Sequence, residues 1–295
     1  MSTLTITIIQ TDLKWEDKKA NLRNLEDKIL SIRENTELVV LPEMFSTGFS
    51  MNPEKLAEDM NGPTVAWMRD VAARKRIILT GSVIIKDEED YFNRLIWMLP
   101  NGGYGYYDKR HRFAFAGEDE HYTAGRKRLL TSVKGWKILP LVCYDLRFPV
   151  WSRQTPAPRP DVGENEDGAD VADRNEPGGR SANGGLPAAE PALEYDILLY
   201  VANWPERRNL AWKTLLRARA IENQAYVIGV NRVGDDGKNI HHSGDSMIID
   251  PLGEILYEKA QAEDVHTLTL RKENLAEIRG RFPFWRDADH FSIEP

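Results

Sequence analysis

The chain has 295 residues, 41% hydrophobic and 29% charged, with a formal net charge of −7. That composition is globular and excludes collagen-like or largely disordered chains, and no apolar run is long enough for a helix to span a bilayer. A single cysteine, Cys143, excludes an internal disulfide and a multi-cysteine metal centre. The length fits one large domain or two ordinary ones. The N-terminal stretch MSTLTITIIQTDLKWEDKK lacks the basic start and small-residue cleavage site of a secretory signal, so a cytoplasmic protein is expected.

In chain order, 3–9 reads as a strand. Residues 15–33 read as a helix with Leu22, Leu25, Ile29 and Ile32 on one face. ELVVLPE (37–43) is a strand too apolar to have a wet side. A helix is expected over 64–75, then strands at 77–85, 91–99 and 104–108, with a turn at Asn101-Gly102-Gly103, and another strand at 136–143. The second half continues with a strand at 196–203, a helix at 209–223 and a strand at 225–231. Strands at 246–250 and 254–258 flank a Pro-Leu-Gly turn. A last strand at 265–270 precedes a short helix from Glu273. The fold class expected is a layered α/β protein with mixed sheets.

The segment 154–194 interrupts this order. It has six prolines, six glycines and no aromatic residue, and it carries −6 of the net charge. Such a segment buries too little apolar surface to offset its ordering entropy, so a disordered surface insertion is expected. The remaining body is nearly neutral. It lacks the basic face of a nucleic-acid binder.

Three segments end an apolar or aromatic run with a chemically useful side chain: LVVLPE at Glu43, GYYDK at Lys109 and LPLVC at Cys143. In layered α/β folds, ligand sites gather at the carboxyl ends of strands. A thiol needs a base to become nucleophilic, a carboxylate can be that base and later an acid, and a fixed cation can hold an oxyanion. Taken singly, each residue also reads as a buried small side chain, a cap or a solvated charge. A Cys143–histidine dyad would imply a papain-like hydrolase, and the sequence around Cys143 does not read like that family. His241 and His242 are adjacent, which suits a turn better than a shared metal.

LPEMFSTGF (41–49), YDKRH (107–111) and LVCYDLRFPVWSR (141–153) together resemble the nitrilase, or carbon–nitrogen hydrolase, superfamily. The likeness continues through 200–208, 215–234, 242–254 and 282–289, where it is nearest in appearance to bacterial omega-amidases. It spans the chain as a single domain outside 154–194. The resemblance implies a four-layer αββα sandwich with mixed sheets that forms a homodimer. It implies Glu43 as general base and acid, Lys109 as the oxyanion-stabilising cation and Cys143 as the nucleophile. It also implies a second glutamate, Glu118 or alternatively Glu120. The implied reaction is hydrolysis of the terminal amide of a small 2-oxo dicarboxylic acid monoamide through a thioester, without a cofactor or metal. The expected partners are that small amide and a second copy of the chain, with no nucleic acid and no membrane.

For such a substrate the Tyr144 backbone N–H would share the oxyanion, and Arg147 and Arg207 are candidates for the far carboxylate. Trp204, Phe113 and Met44 could wall the thioester from water, and Asp145 is either a further acid or the cap of the turn after Cys143. The runner-up readings are another carbon–nitrogen hydrolase (a nitrilase, an N-carbamoylase or an aliphatic amidase), a non-catalytic interaction protein and a cysteine redox sensor.

Overall fold

The structure is a computed structural model that describes residues 2–154, 193–289 and 291–293. The first half lays down β1 (Thr3–Gln10), β2 (Leu38–Val40), β3 (Ile78–Asp87), β4 (Asp90–Met98) and β5 (Tyr104–Asp108). Next come β6 (Thr131–Val133), β7 (Trp136–Val142), β8 (Ile197–Val201), β9 (Tyr226–Val230), β10 (Val233–Asp235), β11 (His241–Ile249) and β12 (Ile255–Ala260). The last strand, β13 (Asp264–Arg271), returns to pair antiparallel with β1. Two sheets result, one ordered β13-β1-β2-β3-β4-β5 and the other β10-β11-β9-β8-β7-β6, with β12 paired to β11. Each centres on a parallel trio, β1-β2-β3 and β7-β8-β9, flanked by antiparallel strands.

Alternation along the strands explains the layers. Leu38 and Val40 face a core shared with Trp136, Ile138 and Leu199 of the second sheet. Val39 and Leu41 face the opposite way, onto Leu25, Ile29, Val65 and Met68 of the helices Lys18–Ser31 and Pro63–Lys75. A strand buried on both faces cannot show a period of two, which is why β2 reads as an unbroken apolar run. Asp17 caps the first helix by accepting from Ala20 N at 3.0 Å. On the second sheet the helix Asn209–Asn223 packs close over β9. A Cβ at Gly229 would lie 2.6 Å from Leu216 Cδ1 and 2.8 Å from Trp212 Cζ2, so a larger residue there would force those side chains to shift. The expected αββα layering with mixed sheets is what the chain adopts.

Some boundaries differ from the sequence reading. The strand expected at 246–250 begins at His241, and the two histidines open β11 rather than forming a turn. The turn lies just upstream, where Asp236 Oδ1 accepts the N–H groups of Lys238 and Ile240. Short strands at 131–133 and 233–235 carry too few residues to show a pattern.

The expectation of disorder falls on 154–194, of which 155–192 lie outside the described residues. Both flanks belong to the folded body. Gln154 is buried, its Nε2 donates to Asn223 O at 2.9 Å, and its Oε1 accepts Tyr195 N–H at 3.0 Å. The chain therefore leaves and re-enters the body at one point. Closing a loop there costs little that depends on its length. Replacing 155–192 by a short Gly/Ser linker is expected to leave the melting temperature within about 3 °C of wild type. A larger fall in a thermal melt would show that the segment contributes to stability.

Candidate active site

Glu43 follows β2, Lys109 follows β5 and Cys143 follows β7, so the three sequence-predicted residues converge where the two sheets present their carboxyl ends. Lys109 Nζ donates to Glu43 Oε1 at 2.9 Å and to Glu118 Oε1 and Oε2 at 2.9 and 2.8 Å. All three side chains are buried, at 1%, 0% and 0% exposure. Of the two candidate glutamates, Glu118 joins this buried cluster and Glu120 faces solvent. The lysine's strand end is pinned by Gly125, whose N–H donates to Lys109 O at 3.0 Å. A Cβ at Gly125 would fall 1.9 Å from Asp108 O, so no other residue fits.

Sequence reasoning missed two asparagines that complete this cluster. Asn93 Nδ2 donates to Glu43 Oε1 at 2.8 Å and to Glu118 Oε1 at 3.1 Å. Asn203, following β8, donates its backbone N–H to Glu43 Oε2 at 2.8 Å and its amide to Glu43 O at 2.5 Å. Asn93 lies inside a strand, where no local pattern distinguishes it. Asn203 ends an apolar run as Glu43 and Cys143 do, and that shared signal was available.

The electrostatics follow from burial. Burial works against the Lys109 ammonium, but Glu118 and Glu43 outweigh it and hold the group above the ordinary lysine range. Burial pushes the Glu118 carboxyl up; Lys109 pulls it back and Glu43 adds to the rise. The Cys143 thiol is pushed well above its usual value, first by burial and then by Glu43, with Lys109 opposing. At neutral pH the thiol therefore keeps its proton. Cys143 itself sits at φ +45° and Met44, next to Glu43, at φ +42°. A non-glycine residue in this left-handed region costs about 1–2 kcal/mol, and such strain collects at functional sites.

Cys143 opens into a cavity of about 220 Å³. Phe113, Tyr144, Arg147, Trp204 and Arg207, the residues named from the sequence, all line it. Met44 does not. It is fully buried in a separate cluster with Leu56, Ile84 and Tyr122. Phe49 takes the wall position instead, with the Lys109 ammonium 5.2 Å from its ring centroid. Arg208 was also missed, since in NWPERR it looks like a second surface charge. Its guanidinium lies 5.0 Å from the Phe113 centroid, as that of Arg147 lies 5.0 Å from Trp204.

Among the described residues, none of Arg147, Arg207 and Arg208 has a carboxylate partner. The pKa of Arg208 is lowered by burial and by its neighbour Arg207. Of the histidines, His242 lines the cavity, but burial and Arg232 push it down to about 4, and its Nδ1 is paired with Ile240 O at 2.9 Å. No described histidine stands as the partner of the thiol.

With this geometry in view, the likenesses are informative. The carbon–nitrogen hydrolase family pattern matches residues 5–162 and 191–279. The omega-amidase YafV of Escherichia coli is 41% identical over 99% of this chain and 100% of its own length. The 2-oxoglutaramate amidase of Bacillus subtilis is 28% identical over 96% of each chain. The crystal structure of XC1258 from Xanthomonas campestris, a CN-hydrolase superfamily protein with an arsenic adduct in the active site, is 44% identical. It superposes over 100% of both chains with a TM-score of 0.86. The chain belongs to the carbon–nitrogen hydrolase family. It is a hydrolase of carbon–nitrogen bonds, and relatives of matching length include two amidases.

The buried thiol has a consequence for stability. An unfolded cysteine ionises near pH 8.5, whereas the folded Cys143 keeps its proton higher. Its contribution is intact below about pH 8.5 and is lost as the pH rises toward the folded value. Between about pH 8.5 and pH 10, wild type is expected to lose stability relative to Cys143→Ser by up to about 1.4 kcal/mol per pH unit. Urea denaturation of the two proteins checks this, and identical pH dependence would contradict a neutral buried thiol.

Proposed function

We propose that this chain is an amidase that releases ammonia from the terminal amide of a small 2-oxo dicarboxylic acid monoamide, of the 2-oxoglutaramate type. The observation that carries the reading is the set of three guanidiniums without carboxylate partners facing the cavity beside Cys143. A substrate with a carboxylate far from its amide supplies the missing anion, and a guanidinium recognises it through paired hydrogen bonds. The names of the two amidase relatives point the same way. A nitrile or a neutral aliphatic amide has no use for those charges.

In the proposed reaction the amide carbonyl lies beside Cys143. Glu43 takes the thiol proton as sulfur attacks the carbonyl carbon. The Lys109 ammonium has three donors. If one N–H is shared between the Glu118 oxygens and one goes to Glu43, the third is left for the oxyanion, with Tyr144 N–H as a second donor. Each such donor is worth roughly 10²–10³ in rate. Glu43 then protonates the departing nitrogen, ammonia leaves and a thioester remains on Cys143. Water activated by Glu43 attacks the thioester, the carboxylic acid departs and the thiol regains its proton. Glu118 keeps Lys109 charged and in place.

The whole chain acts as one carbon–nitrogen hydrolase domain interrupted at 154–194, in the cytoplasm and as a homodimer.

Wild type is expected to release ammonia from 2-oxoglutaramate faster than from a nitrile or an N-carbamoyl amino acid, and Cys143→Ala should abolish the release. Release that survives that substitution would contradict the thioester route. Arg208→Ala is expected to raise KM about tenfold or more with a smaller change in kcat, since a charged hydrogen bond is worth about 1.5–3 kcal/mol. An unchanged KM would remove Arg208 from the carboxylate site.

A further inference from the structure

Asp145, two residues after Cys143, is fully buried and accepts four hydrogen bonds. Its Oδ2 takes Val142 N–H at 3.0 Å and Tyr107 O–H at 2.8 Å. Its Oδ1 takes His111 N–H at 3.0 Å and pairs with His111 Nδ1 at 2.8 Å. A carboxylate offers about four acceptor positions, so this one is saturated and has none left for a substrate. The four donors have a pattern. Val142 directly precedes Cys143, and Tyr107 and His111 lie two residues on either side of Lys109. One buried carboxylate thus ties the cysteine turn on the second sheet to both flanks of the lysine on the first.

The surroundings fix this tie in one state. Burial and the Asp145 charge keep the Tyr107 hydroxyl protonated and therefore a donor. The same oxygen accepts Trp151 Nε1–H at 3.0 Å and Arg110 N–H at 3.2 Å. His111 stacks on Phe148, with ring centroids 3.8 Å apart and planes within 5°. Phe148 is the residue at which the Cys143–Arg147 turn ends, and its N–H returns to Asp145 O at 3.0 Å. The turn so held contains Cys143 in its left-handed conformation, which relaxes unless its neighbours over-determine it.

We infer that Asp145 is a positioning residue, whose buried carboxylate sets the distance between the Cys143 thiol and the Lys109 ammonium across the two sheets. It does not act as a further acid. The inference rests on the amidase reading only for its assay, because thiol reactivity reports the same geometry independently.

In Asp145→Asn, the amide NH2 cannot accept a backbone N–H, so whichever way it faces, either the Val142 or the His111 main-chain bond is lost. The experiment measures, on the full-length protein, kcat and KM for 2-oxoglutaramate, the pH profile of kcat, the rate of Cys143 alkylation by iodoacetamide and the thermal melt. The expected result is a folded protein with kcat at least tenfold lower and KM within about twofold. The pH profile should be lowered but unchanged in shape, and alkylation should slow at least fivefold. A kcat and alkylation rate within twofold of wild type would overturn the inference, as would loss of one limb of the pH profile, which would make Asp145 a proton donor or acceptor.

Should Asp145→Asn fail to fold, His111→Phe decides. It keeps the stack on Phe148 and the backbone N–H and removes only the ring donor. A severalfold fall in kcat and alkylation rate at unchanged KM is expected, and unchanged values would overturn the inference. If wild type itself releases no ammonia, the amidase reading fails, while the alkylation comparison still tests Asp145.

Discussion

An ammonium with two carboxylates around it, all three closed off from water, is the constraint on which the rest of this structure depends. Each ion costs several kcal/mol to desolvate, and only close pairing with saturated hydrogen bonds makes the set tolerable. Lys109, Glu43 and Glu118 are paired in this way, and Asn93, the Asn203 N–H and the Phe113 N–H donate further hydrogen bonds to the two carboxylates. Two negative charges and one positive leave the cluster short of a cation. Burial first, and then the nearness of Glu43, keep the proton on the neighbouring Cys143. In the proposed chemistry this sets the order of events. The thiol is not a stored thiolate, and sulfur becomes nucleophilic only as Glu43 takes its proton.

The fold brings these groups together from distant parts of the chain because both sheets repeat one plan. Each has a central parallel trio whose strands point the same way, so their carboxyl ends open on one side. Glu43 comes from the first trio, Cys143 and Asn203 come from the second, and Lys109 arrives from an antiparallel edge strand. The apolar seam between the sheets, from Leu38 and Val40 to Trp136 and Leu199, sets the spacing of the two halves. Polar ties such as Asp145 to Tyr107 then fix their register locally. The cavity in front combines aromatic walls with guanidiniums stacked on them. Trp204 and Phe113 hold the Arg147 and Arg208 cations in place without neutralising them.

Much of this was legible in the sequence because it rests on local signals. The helix at 209–223 shows its face through spaced apolar residues, and its ends coincide with the observed helix. The three strand-end residues announce themselves by a sharp change from apolar to reactive, and the motifs around them resemble one superfamily. What was not legible depends on contacts across the chain. Asn93 looks like any polar residue in a strand until the fold sets it against Glu43, 50 residues away. Met44 looks like a wall residue until the fold buries it with Leu56, Ile84 and Tyr122. Asp145 left two readings open from its position alone. Four donors from three segments favour the cap, extended into a tie between the sheets.

The central claim is that Glu43 carries the proton that makes Cys143 nucleophilic. It is tested most directly by mixing enzyme with 2-oxoglutaramate, quenching in acid at successive times and weighing the intact protein. Wild type is predicted to gain the mass of the acyl group on Cys143 during turnover, while Glu43→Gln, folded and still carrying the thiol, should acylate at least about a thousandfold more slowly. Acylation of Glu43→Gln at the wild-type rate would contradict the account and require another base.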